Sequence, residues 1–318
     1  MNLFLVTFEA VIILLGIGLI GFFIMKTKIL PITVLRSLNP LALDIALPSL
    51  IFVDIISDFT PSTYPDWWQY PLWWMVFTLF AAAATFLFSY LSKKETKNEF
   101  AVSLFYQNGL FFPLAILTGM FAEPEGYVIP LFLFILFFPA FFFSTYPFFF
   151  KDKMDKKMGI PLKKILHPTL FATLIGIAIS LIGIKQIIPD VLESILSMLG
   201  AMTIPLLMII LGGNIYVNYK KAGFTHRFET AKFILIKNFV FPLCFIGFLL
   251  LFYSSIPPTI AFIMFLQSAV PPVTAIPLVT ARMKGNSELT SQFVMTSFIV
   301  SLFSLPLMVY IYLQFFAI

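Results

Sequence analysis

The sequence predicts an all-α polytopic membrane protein with ten transmembrane helices, arranged as two inverted five-helix repeats in which helices 4 and 9 are broken and cross. Three observations lead there. The 318 residues are 60% hydrophobic and 11% charged, with 41 phenylalanines and a mean hydropathy of +1.00, a composition that calls for a bilayer as solvent. The basic residues fall in alternate loops between apolar runs. Two of those runs, about half a chain apart, are interrupted in mid-run by polar residues and prolines.

The runs lie at about residues 3–25, 35–57, 69–91, 99–121, 127–149, 166–184, 190–213, 231–253, 259–281 and 293–316, each long enough to span hydrocarbon. The first starts at Leu3 with no basic stretch before it and no small-residue cleavage site after it, so it reads as a retained span rather than a signal peptide. All 20 lysines and arginines except Lys185 and Lys237 fall in or beside the odd-numbered loops. Those loops are therefore expected in the cytoplasm, with both termini outside and the chain multi-pass in the cell membrane. The net charge of +5 is a topology signal and not a nucleic-acid surface. Trp67, Trp68, Trp73 and Trp74, at the outer start of span three, fit an interfacial belt.

The most basic loop divides the chain into residues 1–150, the first repeat, a cytoplasmic linker at 151–164, and residues 165–318, the second repeat. Five is an odd number of spans, so the second repeat enters the bilayer inverted. Weak internal similarity agrees. Leu15-Gly16-Ile17-Gly18 resembles Ile175-Gly176-Ile177-Ala178, and Leu47-Pro48 resembles Ile204-Pro205. Gln107-Asn108-Gly109 in span four falls on Gln267-Ser268-Ala269 in span nine.

Those last two stretches are the breaks. Span four holds Tyr106-Gln107-Asn108-Gly109 and then Pro113; span nine holds Gln267, Ser268, Pro271, Pro272, Thr274 and Pro277. A helix cannot run unbroken through either, and in hydrocarbon every freed backbone group must find a partner. Matched breaks of this kind are where secondary transporters place a midplane site. Half-helix N-termini there present unpaired N–H groups that suit a carboxylate. Asn108, Gln107, Gly109, Gln267, Ser268 and Thr274 are the candidate substrate-binding residues, unless these amides only satisfy the broken backbone. Pro113, Pro271 and Pro272 shape the breaks.

Ionisable residues inside spans are few. Asp44 in span two and Glu9 in span one are the candidates for proton or sodium coupling, against a bland reading of Asp44 as a cap near Asn39-Pro40 and of Glu9 as reaching the outer interface. Lys237 lies within snorkelling distance of the cytoplasm, the alternative being a direct role in attracting anions, and Asp54 is expected near the outer surface and solvated. Gly16, Gly18 and Gly21 form a close-packing face, within the molecule or between the protomers of a homodimer. The Phe-rich fifth span reads as lipid- or core-facing. Cys244 as the one cysteine excludes a disulfide framework and a cysteine metal site, and with only His167 and His226 as histidines zinc chemistry and Cys or His catalysis have almost nothing to work with; no catalytic set or cofactor motif can be assembled.

Leu38-Asn39-Pro40 with Leu47-Pro48-Ser49-Leu50-Ile51-Phe52 in span two resembles the auxin efflux carrier family. So do Asn108 with Pro113-Leu114, Leu199-Gly200 with Ile204-Pro205 and Leu211-Gly212-Gly213, and Ser268-Ala269-Val270-Pro271 through Asn286-Ser287-Glu288 to Thr296-Ser297, Ser304 and Leu305-Pro306-Leu307. The resemblance covers nearly the whole chain in order. It implies a ten-span carrier, related in fold to bile acid sodium symporters, that moves organic anions by an elevator-like motion, with spans one, two, six and seven as scaffold. The chain departs from the family in three places. Phe111-Phe112 fills a position commonly glycine, span three lacks the acidic and basic pair of the plant carriers, and span five lacks an amide of the kind that contacts auxin. The expected cargo is a small mono- or dicarboxylate, moved without cofactor across the lipid bilayer. The rival readings are a sodium-coupled bile-acid-like symporter, although span nine has no acidic sodium ligand, and a membrane sensor that binds the same ligand without moving it.

Overall fold

The computed structural model describes residues 3–121, 123–153, 168–221 and 226–316. Among these described residues the chain is all-helical, without strands, and its β-type pairing is one isolated bridge. The linker at 151–164 lies outside the described residues from position 154 onward, as does His167.

Helix α1 (Leu3–Lys26) has 24 residues, about 36 Å at 1.5 Å per residue and enough for a ~30 Å hydrocarbon core. Next, α2 (Val34–Pro40) passes through a π-helical turn at Leu41–Ala46 into α3 (Leu47–Asp58). Pro40 keeps helical angles (φ −60°, ψ −39°), so the chain does not break at Asn39-Pro40. The widened turn precedes Pro48, which has no N–H for the Asp44 carbonyl. Further on come α4 (Tyr70–Ser89), α5 (Lys97–Phe105), α6 (Phe111–Met120), α7 (Glu125–Phe134) and α8 (Phe138–Thr145).

In the second half, α9 (Pro168–Ile182), α10 (Asp190–Ala201) and α11 (Thr203–Lys221) lead to α12 (Arg227–Leu235). A second π turn, Ile236–Val240, joins α12 to α13 (Phe241–Phe252). Here Pro242 withholds the N–H that would reach the Asn238 carbonyl. The chain ends in α14 (Pro258–Ala269), α15 (Ile276–Arg282) and α16 (Ser287–Phe315). Among the described residues six stretches are long and apolar enough to cross a bilayer, and shorter apolar helices lie at Phe111–Met120, Pro168–Ile182 and Pro258–Ala269. This is a multi-pass membrane protein.

The helices pack in two groups. In one, α1 lies along α11 and α3 packs on α9 and α10. In the other, α4 packs on α5, α7 and α14, and α16 packs on α12, α15 and the second π turn. Contacts from α1 to α6 and α16 join them. Burial differs sharply between the groups. From Ile260 to Ala269 every residue of α14 is buried, whereas Gly200 alone is buried on α10, as expected when one helix is surrounded by protein and the other by lipid.

Small residues bring α1 and α11 together. A Cβ on Gly21 would run into the Ile209 backbone, and one on Gly212 into the Gly18 carbonyl. Gly18 and Gly21 are thus used inside the molecule, while Gly16 has open space beside it. The tryptophan belt holds only in part. Trp68 is exposed, but Trp74 is buried edge-on against Phe141, ring centroids 5.2 Å apart. Asp54 is half-buried rather than solvated. The fifth run faces the core through Phe142 and Phe150.

Candidate functional site

The two interrupted runs meet. Helix α5 ends at Phe105 and the chain turns extended at Tyr106 (φ −100°, ψ 109°); α14 ends at Ala269 and turns extended at Val270 (φ −75°, ψ 153°). The two extended pieces run antiparallel with Gln107 opposite Pro272. The Asn108 N–H donates to the Pro271 carbonyl (2.8 Å), and the Val273 N–H donates to the Tyr106 carbonyl (3.0 Å). Pro271 and Pro272 can only accept, so span nine donates from Val273 and receives from Asn108. Each break therefore satisfies part of the other's freed backbone, as a dry interior requires. Pro113 stands in the first turn of α6, downstream of the break, where a missing N–H costs nothing.

Most of the polar side chains at the crossing serve the backbone. Gln267 Nε2 donates to the Gly109 carbonyl (2.7 Å), Gln107 Nε2 to the Leu104 carbonyl (3.1 Å), and Ser268 Oγ to the Phe265 carbonyl (2.6 Å). Thr274 is half-buried beside them. Asn108 differs: it is 2% exposed and its side-chain Nδ2 has no hydrogen-bond partner. A buried amide left this way costs about 1–3 kcal/mol. A Cβ at Gly109 would meet Gln267 Oε1, the end of a flexible side chain that would have to shift. Gly109→Ala is expected to displace the Gln267 amide and cost about 1 kcal/mol of thermal stability. Adding Gln267→Ala should then cost little more, a non-additivity that a double-mutant cycle in detergent melts would reveal.

Two residues reach the crossing from a span that the sequence did not place there. Lys237 does not snorkel to the cytoplasm. It is fully buried, and its Nζ donates to the Ser268 carbonyl (3.0 Å) at the end of α14 while lying 4.7 Å from the Phe241 ring centroid. Asn238, next along the π turn, is held to α16: its Nδ2 donates to the Ser297 carbonyl and to Ser304 Oγ, both at 3.1 Å, and its Oδ1 accepts from Ser297 Oγ (2.7 Å). The widened turn lets these adjacent residues reach spans on either side. The available signal was a polar pair inside an apolar run, four to five residues before a proline. Glu9 is exposed on α1 and Asp44 on the first π turn. Both belong to the group of helices away from the crossing.

Beside the crossing lies a narrow cleft lined by the aromatic rings of Trp74, Phe77, Phe105, Tyr106, Phe138 and Phe141, with Gln107 and Gln267 supplying amides. It has no charged lining and ≈ 10 Å³ of free space, about one water. Among the described residues no cluster of His, Cys, Asp or Glu could hold a metal ion.

An all-helical membrane protein with two interrupted helices paired backbone to backbone at a polar, aromatic-walled centre has the architecture of a membrane transporter. The family described as membrane transport protein matches residues 6–161 and 153–309. The chain belongs to this family, that of the auxin efflux carriers. No curated protein matches it.

Proposed function

We propose that the chain is a secondary carrier for a small organic anion, a mono- or dicarboxylate, bound at the crossing of spans four and nine. The observation that carries this reading is Asn108 Nδ2, a buried donor without a partner at the centre of the crossing, in a chain of a transport family. A carboxylate oxygen supplies what that donor lacks, and the N-terminus of α6 a few residues on adds its dipole. The mainly aromatic, uncharged lining of the cleft favours a monocarboxylate with an apolar body over a dicarboxylate, whose second charge would find no cation there.

Ten spans in two inverted repeats, 1–150 and 165–318, with both termini outside, remain the topology we favour. The alternating basic loops support it, as does a family match in two successive regions. The group containing α1, α3 and α9–α11 acts as scaffold. The group containing the crossing moves against it, elevator-like, and opens the closed cleft to each side in turn. Asp44 and Glu9 are the coupling candidates for a proton or sodium ion, and a homodimer would form through the scaffold.

Uptake into proteoliposomes tests the reading, using labelled phenylacetate and hexanoate beside malate and malonate, with and without imposed proton and sodium gradients. Saturable uptake of a monocarboxylate is expected; binding without flux would make the protein a sensor. The orientation has its own test in a Cys244→Ser background. An impermeant maleimide applied to intact cells should label Asp66→Cys, and should reach Lys93→Cys only after permeabilisation. The reverse pattern would overturn the placement of the termini.

A further inference from the structure

A buried lysine ordinarily sits beside a carboxylate, because an unpaired charge in a dry interior is among the costliest things a fold can hold. Lys237 does not. Its ammonium touches the Ser268 carbonyl and the Phe241 ring. Both partners favour the charged form, one as the negative end of a helix and the other as a π face. Neither brings a negative charge. The elements packed on its π turn offer no substitute. Helices α13 and α14 contain no acid. On α12, Glu229 is bound by Lys232 (2.8 Å) and by Ser92 (3.1 Å). On α16 the only acid is Glu288, in the first turn.

The unpaired cation and the unpartnered donor flank the same short break. Lys237 holds the Ser268 carbonyl, and Asn108 holds the Pro271 carbonyl through its backbone N–H. Ser268 and Pro271 are three positions apart, so their carbonyls lie at most about 11 Å from each other even for extended chain. An ammonium has three donors, and one is spent on Ser268.

We infer that the Lys237 ammonium is the counter-charge for the carboxylate of the transported acid, and that the carrier is for this reason an exchanger. This rests on the carrier reading above. With acid bound, the charge at the crossing is neutralised and the loaded domain moves through the bilayer as a dipole. Without acid, the same movement carries a bare positive charge against hydrocarbon, and the empty carrier returns slowly. Net flux is limited by that return. Acid on the far side removes the limit.

The test is trans-stimulation. The full chain is reconstituted in proteoliposomes in near-neutral, sodium-free buffer, and initial uptake of labelled phenylacetate and malonate is compared between empty vesicles and vesicles preloaded with the same unlabelled acid. Preloading is expected to speed uptake roughly tenfold or more. Lys237→Arg keeps the charge and should keep that ratio. Lys237→Gln keeps an N–H for the Ser268 carbonyl but loses the charge, so it should raise KM and bring the ratio close to unity. Saturable uptake that is equally fast into empty and preloaded wild-type vesicles would overturn the exchanger and leave the carrier reading standing. An undiminished ratio in Lys237→Gln would overturn Lys237 as the counter-charge. No saturable uptake in either mode would remove the carrier reading and this inference with it. If Lys237→Gln fails to insert, the wild-type ratio still decides the exchanger, and Lys237→Met, neutral and of similar length, decides the role of the lysine by the same ratio.

Discussion

Asn108→Ala is expected to abolish saturable uptake at concentrations that saturate the wild type, raising KM by ~10- to 100-fold, while leaving the protein at least as stable as before. The two halves of that result have one cause. Nδ2 is buried and makes no hydrogen bond within the protein, so its removal relieves a desolvation cost of about 1–3 kcal/mol. A hydrogen bond to a charged group is worth about 1.5–3 kcal/mol, and its loss is felt only when the carboxylate binds. Gln267→Ala should behave in the opposite way, because its Nε2 satisfies the Gly109 carbonyl (2.7 Å). That variant should melt lower whatever it does to uptake. Parallel melts in detergent and uptake in proteoliposomes check both. A marked loss of stability in Asn108→Ala would mean that the amide serves the fold and not a ligand.

Gly212→Val is expected to prevent the first half of the chain from docking on the second. A Cβ at Gly212 would occupy the place of the Gly18 carbonyl oxygen and approach the Phe22 N–H at 2.8 Å. These atoms are backbone of two packed helices and cannot rotate away as a side chain can. Overpacking of a well-filled interface costs about 1–3 kcal/mol and more when only backbone can yield. Close backbone approach is also the main source of helix association in lipid, where no hydrophobic force drives it. The variant should elute as an aggregate or melt far below wild type. Gly16→Val is the control: nothing lies within 4 Å of its added Cβ, so it should behave as wild type. Loss of fold in both would show that the α1 face, not the α1–α11 contact, is at fault.

The positions of the breaks were legible in the chain because their cause is local. Proline lacks an N–H wherever it stands, and an amide or serine in an apolar run is costly wherever the run goes. The same local logic marks Pro48 and Pro242, although it does not say whether a proline will kink a helix, end it or widen it into a π turn. At both of these positions it widened the turn, and at Pro40 the helix simply continued. Composition and the placement of lysines likewise fixed the bilayer as solvent and the family resemblance followed residue by residue.

What the chain could not disclose is which polar group would be left over. Gln107 and Asn108 are neighbours of the same chemistry, yet the side chain of one reaches a carbonyl three residues back and the Nδ2 of the other is buried without a partner. Gln267 finds its partner 158 positions away. Lys237 reads as a residue near the cytoplasmic end of its span, and only the π turn and the close approach of α14 bring it to the crossing. Trp74 shares its run with the exposed Trp68 but is turned inward by Phe141. Hydropathy and hydrogen-bonding capacity belong to each residue and are written in the sequence. Whether that capacity is spent on the fold or kept for a ligand depends on neighbours that only tertiary packing supplies.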